Sequence, residues 1–125
     1  MELPVVNHPD YVAKINNDNK FPIKKFGALA DYLLKEGVVK KFYIPKECSI
    51  KTMQTSHSLE YINHIRNKSL DIKLQKKIGF PINDSVSRRS FVATGGTVLA
   101  SKLALDSKLA CNTAGGSHHA TFDSG

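Results

Sequence analysis

The run Ala114-Gly115-Gly116-Ser117-His118-His119-Ala120-Thr121-Phe122 sets two of the chain's five histidines side by side, behind two glycines. Imidazole gains and loses a proton near neutral pH, so histidine is the side chain best suited to proton transfer there. Neighbouring side chains can aim at one site where the backbone turns sharply. Gly115 and Gly116 permit such a turn and let the backbone approach a ligand closely. One imidazole would take a proton from an attacking water. The other would stay charged or hold that water by a hydrogen bond, and the two titrations would be coupled. A metal site competes with this chemistry. Vicinal histidines chelate one ion poorly, and a zinc site needs at least three protein ligands. Asp123 is the nearest extra candidate, while His57 and His64 are distant in sequence. The plain alternative is a surface pair with no role.

Such a pair needs elements to hold it. Leu109-Ala110-Cys111-Asn112-Thr113-Ala114 is a half-apolar strand candidate, and the Gly-Gly-Ser-His-His segment follows it directly. The longest helical stretch opens at Asn83 or Asp84 and reaches about Ser107, with Gly95-Gly96 inside it. Two glycines cost a helix roughly 1 kcal/mol each against Ala, so close packing on a sheet is expected to offset them. A phosphate loop does not fit, because no strand precedes these glycines and no Lys-Ser/Thr follows them.

Farther upstream, residues 1–22 read as irregular, punctuated by Pro4, Pro9 and Pro22. From Ile23, the spacing of Phe26, Ala30 and Leu33 or Leu34 predicts a helix that stops at Gly37. Val38 to Ile44 is β-prone and closed by Pro45. Ser49 can cap a short turn through Gln54, and Ser58 a helix in which Leu59, Ile62 and Ile65 share a face. Ser69 to Lys77 reads as one more short helix, ended by Gly79-Phe80-Pro81. Strands separated by helical stretches imply an α/β layered fold with a parallel sheet. In such folds ligands gather beyond the carboxyl ends of strands, which is where the histidine pair falls.

Composition narrows the classes. The 125 residues make one domain, with 41% hydrophobic and 23% charged residues, near globular averages. Eighteen Lys and Arg against eleven Asp and Glu give a formal charge of +7. The basic residues are scattered as doublets, Lys24-Lys25, Lys40-Lys41, Lys76-Lys77 and Arg88-Arg89, with no aromatic interleaving. Solvated faces therefore outrank a nucleic-acid site. Cys48 and Cys111 lack metal-ligand spacing, and Cys111, in an apolar run, reads as a small buried side chain. The amino terminus has neither the basic start nor the apolar core of a signal peptide, and no apolar run approaches a membrane span. The expectation from these features is a cytoplasmic chain with no membrane partner.

The sequence resembles the histone deacetylase superfamily, with its class IV, histone-deacetylase-11-like branch and the bacterial acetoin-utilisation and acetylpolyamine deacetylases. The resemblance is carried by Asn7-His8-Pro9-Asp10-Tyr11, Lys20-Phe21-Pro22-Ile23-Lys24-Lys25-Phe26, Ser56-His57-Ser58-Leu59-Glu60-Tyr61-Ile62, Ile78-Gly79-Phe80-Pro81, Gly95-Gly96-Thr97 and Leu109 to Ala120. The strand-Gly-Gly-x-His-His-Ala order is its most specific part. The resemblance implies the amino-terminal portion of an arginase/deacetylase-like open α/β sheet, mainly parallel, with helices on both faces. It implies hydrolysis of acetyl or acyl groups on lysine or amine substrates, with zinc polarising the carbonyl and activating water. His118 would hydrogen-bond that water and add electrostatic stabilisation. His119 would act as general base and acid.

Two departures from the family stand out. Asn19-Lys20-Phe21-Pro22 has Lys20 where relatives often carry an Arg beside an internal channel, which keeps the charge and loses the planar fork. The family's zinc ligands, an Asp-x-His pair and a further Asp, and its transition-state Tyr all follow the His-His loop, and none is identifiable within residues 1–125. The expectation is a partial, amino-terminal deacetylase domain over 1–125, truncated or split and inactive alone, open to a complementary carboxyl-terminal fragment. A non-catalytic remnant or binding module is the alternative, and nucleic-acid binding ranks last.

Overall fold

The computed structural model describes residues 2–117 and 119–125. Its sheet is small and parallel. Strand β1 (Val5–Val6) pairs with β2 (Cys111–Asn112), placing Val5 opposite Cys111 and Val6 opposite Asn112. The Cys111 N–H donates to the Pro4 carbonyl at 2.9 Å and the Thr113 N–H to Val6 at 3.0 Å. On its other side β1 meets Tyr43, whose N–H reaches Val5 at 2.9 Å while the Asn7 N–H reaches the Tyr43 carbonyl at 3.1 Å. The order Tyr43, β1, β2 puts the buried Val5 and Val6 at the centre, where a strand covered on both faces must be apolar throughout.

Helices supply the remaining regular structure among the described residues: α1 (Lys25–Lys35), α2 (Ile50–Met53), α3 (Leu59–Arg66), α4 (Ile72–Ile78) and α5 (Asp84–Ser107), with a 3-10 turn at Pro9–Tyr11. The expected caps form. Ser49 accepts from the Thr52 N–H, Ser58 from Tyr61 and Asn83 from Val86, each meeting a donor that the first helical turn leaves open. Helix α4 begins later than expected because Asp71, and not Ser69, caps it.

Two expectations are corrected. The amino-terminal stretch is not wholly irregular, since it holds β1, whose two residues are too few to show a period. The β-prone run 38–44 contributes only the Tyr43 bridge. The Val38 and Val39 N–H groups both turn back to the Leu33 carbonyl, at 3.0 and 3.3 Å, closing the end of α1 over Gly37 at φ 67°. Those donors are thereby withdrawn from the sheet.

Helix α5 organises the core. Phe91 and Val92 are buried on it, alongside Tyr11, Phe26, Ile62 and Ala114 from the segments it crosses. Gly95 and Gly96 allow that approach. A Cβ on Gly95 would lie 1.9 Å from the Lys46 carbonyl oxygen, and one on Gly96 would lie 2.0 Å from the Tyr11 hydroxyl. The helix tolerates its many hydroxyl residues because they bond back one turn, Ser90 to Val86, Thr94 to Ser90 and Ser101 to Thr97. No helix among the described residues is long and apolar enough to cross a membrane.

Candidate functional site

The chain leaves β2 through Thr113 and the buried Ala114, and enters the glycine segment. Asn112 anchors this exit. Its Oδ1 accepts the Tyr11 hydroxyl at 2.8 Å and the Ala114 N–H at 3.4 Å. The Thr113 hydroxyl adds a bond to Asn7 Oδ1 at 2.7 Å. The base of the loop is therefore fastened to the amino-terminal strand and to the turn that follows it.

Gly115 opens the segment expected to turn sharply. Its φ lies outside the left-handed region, and a Cβ there would meet no atom within 4 Å. A side chain would find open space at this position, so the packing gives no steric reason for glycine here. His118 lies outside the described residues. His119 is described and exposed.

After the pair the chain folds back onto α3. The Ser58 N–H donates to the Phe122 carbonyl at 2.8 Å, and His57 Nδ1 lies 2.8 Å from the Thr121 carbonyl. A carbonyl only accepts, so Nδ1 carries the hydrogen and the neutral ring keeps its lone pair on Nε2. Thr121 and Ser124 close the turn, N–H to carbonyl at 2.7 Å.

A cavity of about 180 Å³ opens between α3, α4 and α5 and this loop. Ser117 and Ala120 line it on the loop side, bracketing the histidine pair in sequence. Ile62, Ile65, Ile78 and Phe80 make its floor apolar, while His57, Tyr61, Arg89, Ser90 and Thr94 add polar groups. Burial pushes the Tyr61 phenol up from its ordinary pKa. His57, which sequence spacing set apart from the histidine pair, lines this cavity together with Ser117 and Ala120. His64 does not. It turns to Ser69 at 2.9 Å and to Glu60.

The residue that the sequence did not single out is Arg89. As half of the Arg88-Arg89 doublet it read as part of a solvated face. The structure divides the doublet, because consecutive helical residues point about 100° apart. Arg88 faces out to Asp10, at 3.0 Å, and to Glu47. Arg89 faces in. Its Nε donates to the Tyr11 carbonyl at 2.8 Å and its Nη2 to the Gly115 carbonyl at 3.3 Å, with the guanidinium 4.8 Å above the Phe26 ring. Burial pushes its pKa down from the usual guanidinium value, against a smaller opposing pull from Tyr11.

Among the described residues no group of three or more His, Cys, Asp or Glu is placed to hold a metal ion. These residues do not fit a zinc centre by themselves. Lys20 is exposed, and so lies outside the packed interior.

Fold and site together define an α/β protein with a histidine-bearing loop beyond the end of a parallel strand, next to a mixed polar and apolar cavity. More specifically, the chain belongs to the histone deacetylase family, whose domain model matches residues 19–125. An uncharacterised protein of Picosynechococcus sp. is 41% identical over 122 residues, covering 96% of this chain and 41% of that protein. Histone deacetylase 2 of Arabidopsis thaliana is 27% identical over 121 residues, covering 84% of this chain and 29% of that one. The chain therefore spans less than half the length of these relatives.

Proposed function

We propose that this chain carries the proton-transfer loop of a deacetylase that hydrolyses acetyl or acyl amides of lysine or small amines. The observation that supports this most is the coincidence of the family match with the position of the histidine pair, between the two cavity-lining residues Ser117 and Ala120. In this reading His119 takes a proton from the attacking water and returns it to the leaving amine. His118 holds the water and stabilises the charge that develops on the carbonyl oxygen. The apolar floor of the cavity suits an acyl chain or a lysine stem.

The family is typically zinc-dependent, and zinc would supply carbonyl polarisation. The described residues hold no set that could grip it, so no step is routed through the ion. The second reading is a non-catalytic remnant or binding module, which predicts no turnover of an acetyl-lysine peptide by the polypeptide its host makes. The free thiols of Cys48 and Cys111 fit a reducing, cytoplasmic setting.

The test is hydrolysis of an acetyl-lysine peptide and an acetylated polyamine by the polypeptide as its host makes it, with its intact mass recorded. Activity that falls ~10²- to 10⁴-fold in His119→Ala, with an unchanged melting temperature, supports the catalytic reading. A mass near 13.8 kDa with no turnover supports the module.

A further inference from the structure

We propose that Arg89 is a positioning residue for the histidine loop, acting through the carbonyl of Gly115. The proposal rests on the functional role given to that loop and deepens it.

The guanidinium joins three segments that are far apart in sequence. Nε is fixed by the Tyr11 carbonyl, the plane lies over the Phe26 ring in α1, and Nη2 reaches the Gly115 carbonyl. Two of these partners belong to the buried core, since Tyr11 is fully buried and Phe26 nearly so. The third is the first glycine of the loop, which is exposed and makes no steric contact through a Cβ position. Side-chain packing therefore cannot hold Gly115. A hydrogen bond to its backbone can, and Arg89 supplies one from a rigid helix.

The planar fork matters here. Nε and Nη2 lie on one edge of the same rigid group, so fixing the first at Tyr11 fixes where the second points. Gly115 precedes the described His119 by four residues, so the position of this carbonyl sets where the segment leading to His119 departs. Misplacing a reacting group by about 1 Å can cost on the order of 100-fold in rate. Arg89 also lines the cavity that Ser117 and Ala120 border, so one side chain orders both the loop and the wall facing it.

The experiment compares the wild-type chain with Arg89→Met and Arg89→Lys by ¹⁵N relaxation and by the ¹³C shift of the Gly115 carbonyl. In the wild type, Gly115 to Ser117 should show order parameters near ~0.85, the range of rigid backbone. In Arg89→Met they should fall below ~0.6 and the carbonyl resonance should move, while α5 and β2 keep their values. Arg89→Lys, with the charge but no fork, should restore only part of the order. If Arg89→Met does not fold, the Lys variant decides alone. Loosening confined to Gly115–Ser117 supports the proposal. Unchanged order, or loosening spread through the whole chain, overturns it.

In the active polypeptide, Arg89→Lys should lower kcat about tenfold or more with KM within about twofold, as expected when an interaction serves the transition state and not binding. Absence of deacetylation in the wild type would remove the functional reading and leave the relaxation comparison to decide the role of Arg89.

Discussion

The hydroxyl of Tyr11 donates to Asn112 Oδ1 at 2.8 Å across 101 positions of sequence, and the same oxygen occupies the space that a side chain on Gly96 would need. One phenol thus joins the amino-terminal turn, the long helix and the strand that carries the histidine loop. The family motif around Asn7–Tyr11 and the Gly-Gly pair are parts of one contact.

Alanine at Gly96 should destabilise the chain although it favours the helix. The helix gains roughly 1 kcal/mol from Gly→Ala. The new methyl must displace the Tyr11 hydroxyl and the Asn112 amide, and overpacking of this kind costs about 1–3 kcal/mol. Gly95→Ala should be worse, because its obstacle is the Lys46 backbone carbonyl, which cannot rotate away as a side chain can. Urea denaturation of the two variants checks both the sign and the order. A stabilised Gly95→Ala would show that α5 does not pack as described.

Burial pushes the Tyr11 phenol up to about 12, with the Asn112 hydrogen bond and Arg89 pulling the other way. The unfolded chain ionises this phenol near pH ~10 and the folded chain does so later, so the native state binds more protons between those values. Stability from this group is complete below pH ~10 and is lost as the pH rises toward ~12, by on the order of 2 kcal/mol. Tyr11→Phe should lose about 1 kcal/mol at neutral pH from the missing hydrogen bond. Its stability should then fall less steeply across that alkaline window than the wild type's, as read from denaturation midpoints at a series of pH values.

Asn83 caps α5 and also ties it to the amino-terminal segment. Its Oδ1 accepts the Val86 N–H at 2.9 Å, and its Nδ2 donates to the Lys14 carbonyl at 2.9 Å. Asn83→Ala removes both and should cost about 1–2 kcal/mol. Asn83→Asp retains the cap and loses only the donor, so it should fall between Ala and wild type in the same denaturation series.

Much of this architecture is legible before the structure. Caps are local, so Ser49, Ser58 and Asn83 announce α2, α3 and α5 through their own hydroxyl or amide. Gly95-Gly96 announces a close approach, although the partners are a loop carbonyl and a tyrosine hydroxyl as much as a sheet. The histidine pair is visible because its residue types are unusual together. What stays hidden depends on distance in sequence. Val5–Val6 becomes a strand because residues 111–113 on one side and Tyr43 on the other supply its partners. Arg89 is indistinguishable from Arg88 until the helix faces inward. His57 comes to the cavity only through the carbonyl of Thr121, more than sixty positions away.

The two thiols should differ sharply in reactivity. Cys48 is 5% exposed, its N–H is bonded to the Phe91 carbonyl at 2.9 Å, and burial raises its pKa, with Lys102 opposing. The thiolate is the reactive form, so Cys48 should react with a disulfide reagent at pH 8 only as fast as the chain opens. Cys111, expected from its apolar run to be buried, is instead exposed on β2, which among the described residues pairs on one side only, with β1. It should react at once, giving one fast and one slow thiol, and Cys111→Ser should abolish the fast phase. If Cys111 is also slow in the native protein but fast after dilution or in mild salt, another chain covers the free edge of β2. An unpaired parallel edge invites that pairing, and the concentration dependence of the fast phase would then measure its affinity.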